Sequence, residues 1–133
     1  QVVDDRGLVA TIGAATLAGS ATKQGHPRIG VALTNVAPAE LDVPRLRIET
    51  RVRKNDSPWA CTSTAQTLKA PPALEKGGVH RETIEVSCLG FGAAGIYDVE
   101  VVLLVDADRA MPLGHLRIEI AEDPAYVLPA PIR

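Results

Sequence analysis

In the segment Arg28–Val36, RIGVALTNV, the residues Ile29, Val31 and Leu33 fall on every second position with small or polar residues between them. A chain with that period turns alternate side chains to opposite faces of a β-strand. Gly7–Leu17, Arg45–Lys54, Thr64–Lys69, Val79–Cys88, Ile96–Val105 and His115–Ala121 read as further strands. In Val79–Cys88, for example, Ile84, Val86 and Cys88 share one face, and Arg81, Thr83, Glu85 and Ser87 the other. Between the strands lie turn clusters such as AGSATKQGHP, APPALEKGG and LGFGAAG, rich in glycine, proline and small polar residues. No segment sustains a helical period, so the chain is predicted to be all-β with about seven strands.

The strand Arg45–Lys54, RLRIETRVRK, alternates Arg45, Arg47, Glu49, Arg51 and Arg53 with Leu46, Ile48, Thr50 and Val52. Leu46, Ile48 and Val52 are its apolar residues, so they define the core side and the arginines face outward. In a sandwich this strand shares a sheet with the sixth and seventh strands and runs antiparallel to the sixth. The arginine row is then expected to face Asp98, Glu100 and Asp106, with Val102 and Leu104 between them on the same outer surface. Opposite charges on neighbouring strands contribute roughly 0.2–1 kcal/mol each, so a solvated, self-balanced face explains the row in structural terms. In functional terms it is a docking face for an acidic partner or polymer, because guanidinium forks suit carboxylates and sulfates. Val102 and Leu104 fit that use, since an apolar pair ringed by charge is how a small interface begins.

At 133 residues the chain is expected to form a single domain over 1–133, with a core over about 7–121 and an extended, proline-rich tail over 122–133. Apolar residues make up 46%, charged residues 23%, and the formal net charge is −2, which leaves no positive excess for nucleic acid. Aromatic residues are only 3%, too few for stacking platforms that hold bases or sugar rings. No apolar run approaches the length of a membrane-spanning helix, and the residues after Gln1 do not have the character of a signal peptide.

Seven short antiparallel strands describe a two-sheet sandwich, with a barrel as the rival arrangement. Three stretches carry a more specific likeness: RIGVALTNV, LEKGGVHRETIEV and GIYDVEVVLLVDAD. They resemble the immunoglobulin-like or fibronectin-type-III-like modules of bacterial surface and secreted proteins, including the cell-adhesion-related CARDB type. In those modules an apolar strand ends at an Asn, a Leu-x-x-Gly turn opens a Thr/Val strand, and Gly-x-Tyr opens the next. Leu33, Thr34 and Asn35, then Leu74 with Gly77 and Gly78, then Gly95 and Tyr97 take those places here. The core tryptophan of true immunoglobulin domains has no counterpart, since Ile48 and Thr50 stand on the corresponding strand. The resemblance implies an immunoglobulin-like sandwich and a life outside the cytoplasm, and it brings no catalytic residues with it.

Strand directions bring Cys61 and Cys88 to the same end of such a sandwich, which predicts a disulfide between them. A reactive or metal-bound thiol has no His or acidic cluster at ligand spacing to support it. His26, His80 and His115 are scattered on turns and strand starts, and Asp106 and Asp108 suit a turn better than a cation site. Trp59 either packs over the disulfide or stands exposed as a binding anchor. Tyr97 resembles a tyrosine corner. Ser57, Ser63 and Ser87 lie in no nucleophile elbow or triad pattern, so catalysis, metal and cofactors have no support in the residues.

The function expected is that of a non-catalytic binding or structural module, periplasmic, secreted or on the cell surface, contacting another protein or an envelope component. An accessory domain of a secreted enzyme is the alternative. Arg45, Arg47, Arg51, Arg53, Trp59, Val102 and Leu104 are the candidate partner-binding residues.

Overall fold

The period-two segments become strands wherever a buried set of side chains can be matched across a ladder. A computed structural model of the chain describes residues 2–16, 26–89, 94–106 and 109–120. Among them, the strands are β1 (Val2–Asp4), β2 (Leu8–Thr16), β3 (Arg28–Asn35), β4 (Leu41–Asp42), β5 (Arg47–Lys54), β6 (Ala60–Thr62), β7 (Gln66–Thr67), β8 (Ala73–Leu74), β9 (Val79–Glu85), β10 (Gly95–Asp106) and β11 (Arg109–Ile120). All pairings are antiparallel. A four-stranded sheet has the order β1-β2-β3-β9, a five-stranded sheet has β11-β10-β5-β6 with β7 also on β5, and β4 pairs with β8. No helix among the described residues is long and apolar enough to cross a membrane.

The inward positions of both large sheets meet in one core. Leu8, Ala10, Ile29, Val31, Leu33 and Ile84 come from the first sheet, and Ile48, Val52, Tyr97, Val99, Val101, Leu103 and Ile118 from the second. The face assignment of the arginine strand holds, because Ile48, Thr50 and Val52 are buried while Arg47, Arg51 and Arg53 are exposed. At about 25 cal/mol per Å² of apolar surface removed from water, this burial is the main favourable contribution to folding.

Four strands, β1, β4, β6 and β8, add to the seven expected, and two of the expected ones, β7 and β11, take other bounds. Ala60–Thr62 forms β6 because its residues reach Arg51–Arg53 across a short turn, whereas the strand expected over Thr64–Lys69 narrows to Gln66–Thr67. β4 and β8 are two-residue pairings that alternation cannot reveal. β11 starts at Arg109 and runs through Pro112 and Gly114. Its register shifts between Val101–Gly114 and Val102–Pro112, leaving Leu113 as a bulge, and a proline is tolerated there because β11 is an edge strand. The proline-rich tail over 122–133, Leu17 and Asp108 lie outside the described residues, as does the side chain of Asp106.

Polar groups tie the connections to the sheets. Asn35 is fully buried at the end of β3, where its Nδ2 donates to the carbonyls of Ala39, Leu74 and Glu75 and its Oδ1 accepts from Ala37 N, all within 2.8–3.0 Å. Nearby, a Cβ at Gly7 (φ 124°) would come within 2.8 Å of Ala37 N, so only glycine fits there. Along the free edge of β9, Gln66 Nε2 donates to Glu85 O at 2.6 Å, and Lys69 N donates to Glu82 Oε1 at 2.7 Å. These contacts cover an edge that would otherwise offer its backbone to another chain. Cys61 on β6 and Cys88 beyond β9 are bonded, with Cα atoms 6.1 Å apart, so the disulfide joins one sheet to the segment leaving the other. Closing a loop of 27 residues stabilises the fold by about 3.5 kcal/mol on the chain-entropy model.

Candidate functional site

Three strands build the outer surface of the five-stranded sheet, and their register sorts its charges into columns. Across β5, β10 and β11, Arg53, Asp98 and Arg117 lie side by side, then Arg51, Glu100 and His115, then Glu49, Val102 and Pro112, then Arg47, Leu104 and Ala110. An acidic segment of β10 thus stands between two basic ones. Arg51 reaches Glu100 at 3.5 Å and Glu49 at 3.3 Å. His115 Nδ1 lies 2.9 Å from Asp98 Oδ2, and its Nε2 lies 3.7 Å from Glu100 Oε2. These groups form a continuous network from Glu49 to Asp98.

The register with β10 accounts for the acids expected opposite the row only in part. Asp98 and Glu100 face Arg53 and Arg51, whereas Arg47 faces Leu104, and the β5 ladder ends there, short of Asp106. Arg45 precedes β5 and is exposed. Val102 has outward parity yet is only 2% exposed. It sits on the middle strand with Glu49 and Pro112 as its cross-strand neighbours. Leu104 is half-buried, so the apolar pair offers a partner little surface.

His115 and Arg117 belong to this face, although by sequence His115 is one of three scattered histidines. The signal was present in HLRIEI, where Leu116, Ile118 and Ile120 alternate with His115, Arg117 and Glu119. What the sequence lacked was the pairing that sets those residues beside Asp98 and Glu100.

At one end of the face, where the β5–β6 turn meets the start of β10, a cleft of about 380 Å³ opens among Arg53, Lys54, Asp56, Tyr97, Asp98 and Arg117. Asp56 turns the chain in the left-handed region (φ 58°), a conformation that Asp tolerates better than most residues. Lys54 lies across Gly95, where a Cβ would approach its Cε to 2.9 Å. Tyr97 is buried, and that burial raises its phenol above the usual tyrosine value. Trp59, 40% exposed, stands edge-on to Tyr97 with ring centroids 5.6 Å apart. It therefore packs on an aromatic ring and keeps an exposed side.

The remaining candidates stand apart from this face. His26 Nδ1 lies 2.9 Å from Leu89 O, and His80 Nε2 lies 2.8 Å from Glu82 Oε1. Ser63 Oγ accepts from Cys88 N at 3.1 Å, a bond between segments distant in sequence, and Ser57 Oγ accepts from Trp59 N at 3.2 Å within its own turn.

No family model matches the sequence, and no curated protein matches it. Among solved structures, the chain is similar to the Pseudomonas fluorescens alkylpurine DNA glycosylase AlkC bound to DNA containing an abasic site analog, at 14% identity and a TM-score of 0.44, over 84% of this chain and 30% of that one. It is also similar to a β-glucosidase, EmGH1, from Erythrobacter marinus, at 16% identity and a TM-score of 0.39, over 83% of this chain and 15% of that one. The chain thus spans less than a third of the length of either protein.

Proposed function

We propose that this chain is a non-catalytic binding module that works outside the cytoplasm and docks an acidic protein surface on the outer face of β5, β10 and β11. The carrying observation is the excess of exposed arginines there: Arg47, Arg51, Arg53 and Arg117 all stand in the solvent, and only Arg51 among them pairs with a described carboxylate. Exposed guanidinium groups steer and orient a partner of opposite charge. Glu49, Asp98 and Glu100 are interspersed among them, which disfavours a uniform polyanion and favours a protein whose own surface mixes both signs.

An immunoglobulin-like sandwich is the architecture in which we place this face. It is supported by the strand orders β2-β3-β9 and β11-β10-β5, which follow the A-B-E and G-F-C orders of such sandwiches. The Cys61–Cys88 disulfide supports an oxidising compartment.

The experiment is capture from an envelope extract on immobilised protein, comparing the wild type with a double Arg47→Gln, Arg53→Gln variant at low and high salt. A protein retained by the wild type and released both by the substitutions and by salt is expected. Retention that ignores both changes would rule out the arginine face as the docking surface.

A further inference from the structure

We propose that the cleft at the β5–β6 turn seats a single carboxylate of a peptide, an inference that rests on the protein-docking function assigned to the same face. Three cations line it, Arg53, Lys54 and Arg117, against two carboxylates, Asp56 and Asp98. Arg53 and Arg117 are the cross-strand neighbours of Asp98 on its two sides. With strands about 4.8 Å apart, their backbones stand about 10 Å from each other, so two extended arginine side chains can converge on one group between them. Asp98 would be the natural occupant, but its Oδ2 is engaged by His115 Nδ1 at 2.9 Å. Among the described residues neither Arg53 nor Arg117 forms an ion pair.

A planar carboxylate matches guanidinium forks through paired N–H···O bonds, and Lys54 adds a further positive charge to the lining. Ile96 and Tyr97 line the cleft beside these charges, which suits an aliphatic stem attached to the carboxylate better than a bare inorganic anion. A glutamate side chain and a chain terminus present this same chemistry.

The test uses Trp59, the single tryptophan of the chain, whose ring lies 5.6 Å from Tyr97 in the cleft wall, as a fluorescence reporter. The protein is titrated at constant ionic strength with three probes: N-acetylglutamate α-methylamide, N-acetylalanine, and N-acetylglutamine methylamide as the neutral blank. Saturable binding of at least one carboxylate and none of the blank is expected, and the tighter of the two carboxylates identifies the source. Arg53→Gln and Arg117→Gln should each weaken it about five-fold or more, as for loss of a charge-assisted bond in a half-open site. Arg81→Gln removes the same charge from exposed β9 on the other sheet, away from both the cleft and the docking face, and should change binding less than about two-fold. Urea midpoints of the variants check that each remains folded. Absence of saturable binding, or equal weakening by Arg81→Gln, would overturn the carboxylate seat. Loss of partner capture with the seat intact would instead strike at the docking function of the wider face.

Discussion

Arg51 and Glu100 lie opposite each other on β5 and β10 with guanidinium and carboxylate 3.5 Å apart, while Arg47 on the same face lies opposite Leu104. One row of arginines therefore holds members with different stakes in folding. Arg51→Gln should cost less than about 1 kcal/mol, as expected of an exposed cross-strand pair. Arg47→Gln should stay within about 0.5 kcal/mol, as for an exposed residue with no ion-pair partner among the described residues. Ile48→Ala, which truncates a fully buried side chain on the other face of β5, should cost about 2–5 kcal/mol. Urea unfolding of the three variants measures all of this, and the reverse ranking would mean that the strand's faces are inverted.

Asn35 should be far less replaceable than its size implies. Its side chain supplies the hydrogen bonds that hold the 36–40 loop and the β8 segment at the end of β3. Asn35→Ala leaves the buried Ala37 N–H and carbonyls of the loop and β8 without these partners. At about 1 kcal/mol per lost bond, the expected cost is about 3–4 kcal/mol. Asn35→Asp should be nearly as harmful, because a carboxylate accepts where the amide must donate. A chemical-denaturation midpoint within error of wild type for either variant would contradict the bonding described.

Thr50 offers the opposite opportunity. It is buried on the core face of β5, and its Oγ1 has no hydrogen-bond partner among the described residues. Replacing it with the isosteric valine removes a desolvated hydroxyl and adds apolar contact, so Thr50→Val should raise stability by about 1 kcal/mol. Differential scanning calorimetry would register that as a higher Tm. A lower Tm would mean that the hydroxyl is satisfied after all.

The Tyr97 phenol predicts a specific alkaline sensitivity. Burial raises its pKa in the folded state above the ordinary tyrosine value of 10.0, so the folded protein holds this proton more tightly than the unfolded chain does. The associated stability is complete below the unfolded value and is lost as the pH rises through the folded one. Between pH 9 and 11 the urea midpoint of wild type should therefore fall more steeply than that of Tyr97→Phe, which cannot ionise there. Parallel slopes for the two proteins would show that Tyr97 plays no part in the alkaline loss.

Alternation by itself determined the all-β class and the two faces of β3, β5 and β9, because burying one set of side chains leaves a strand no other orientation. The Cys61–Cys88 bond was legible for a related reason: strand directions alone bring both residues to one end. Asp98 and Glu100 could be set against the arginine row once a sandwich was assumed, yet which arginine meets which acid is a matter of register, and register is fixed by the partner strand. The burial of Val102, the bulge at Leu113 and the short pairings β4–β8 and β5–β6 were not visible, since each depends on contacts between segments distant in sequence or on pairings too short to show a period. Asn35 stood in the sequence as the end of an apolar strand. Only the folded chain brings Leu74 and Glu75 to its amide, because hydrogen bonds of such reach exist only after the sheets have closed. The cleft is of the same kind: Arg53, Lys54 and Arg117 come from opposite sides of β10, and it was pairing across that strand, which no local pattern encodes, that gathered their charges in one place.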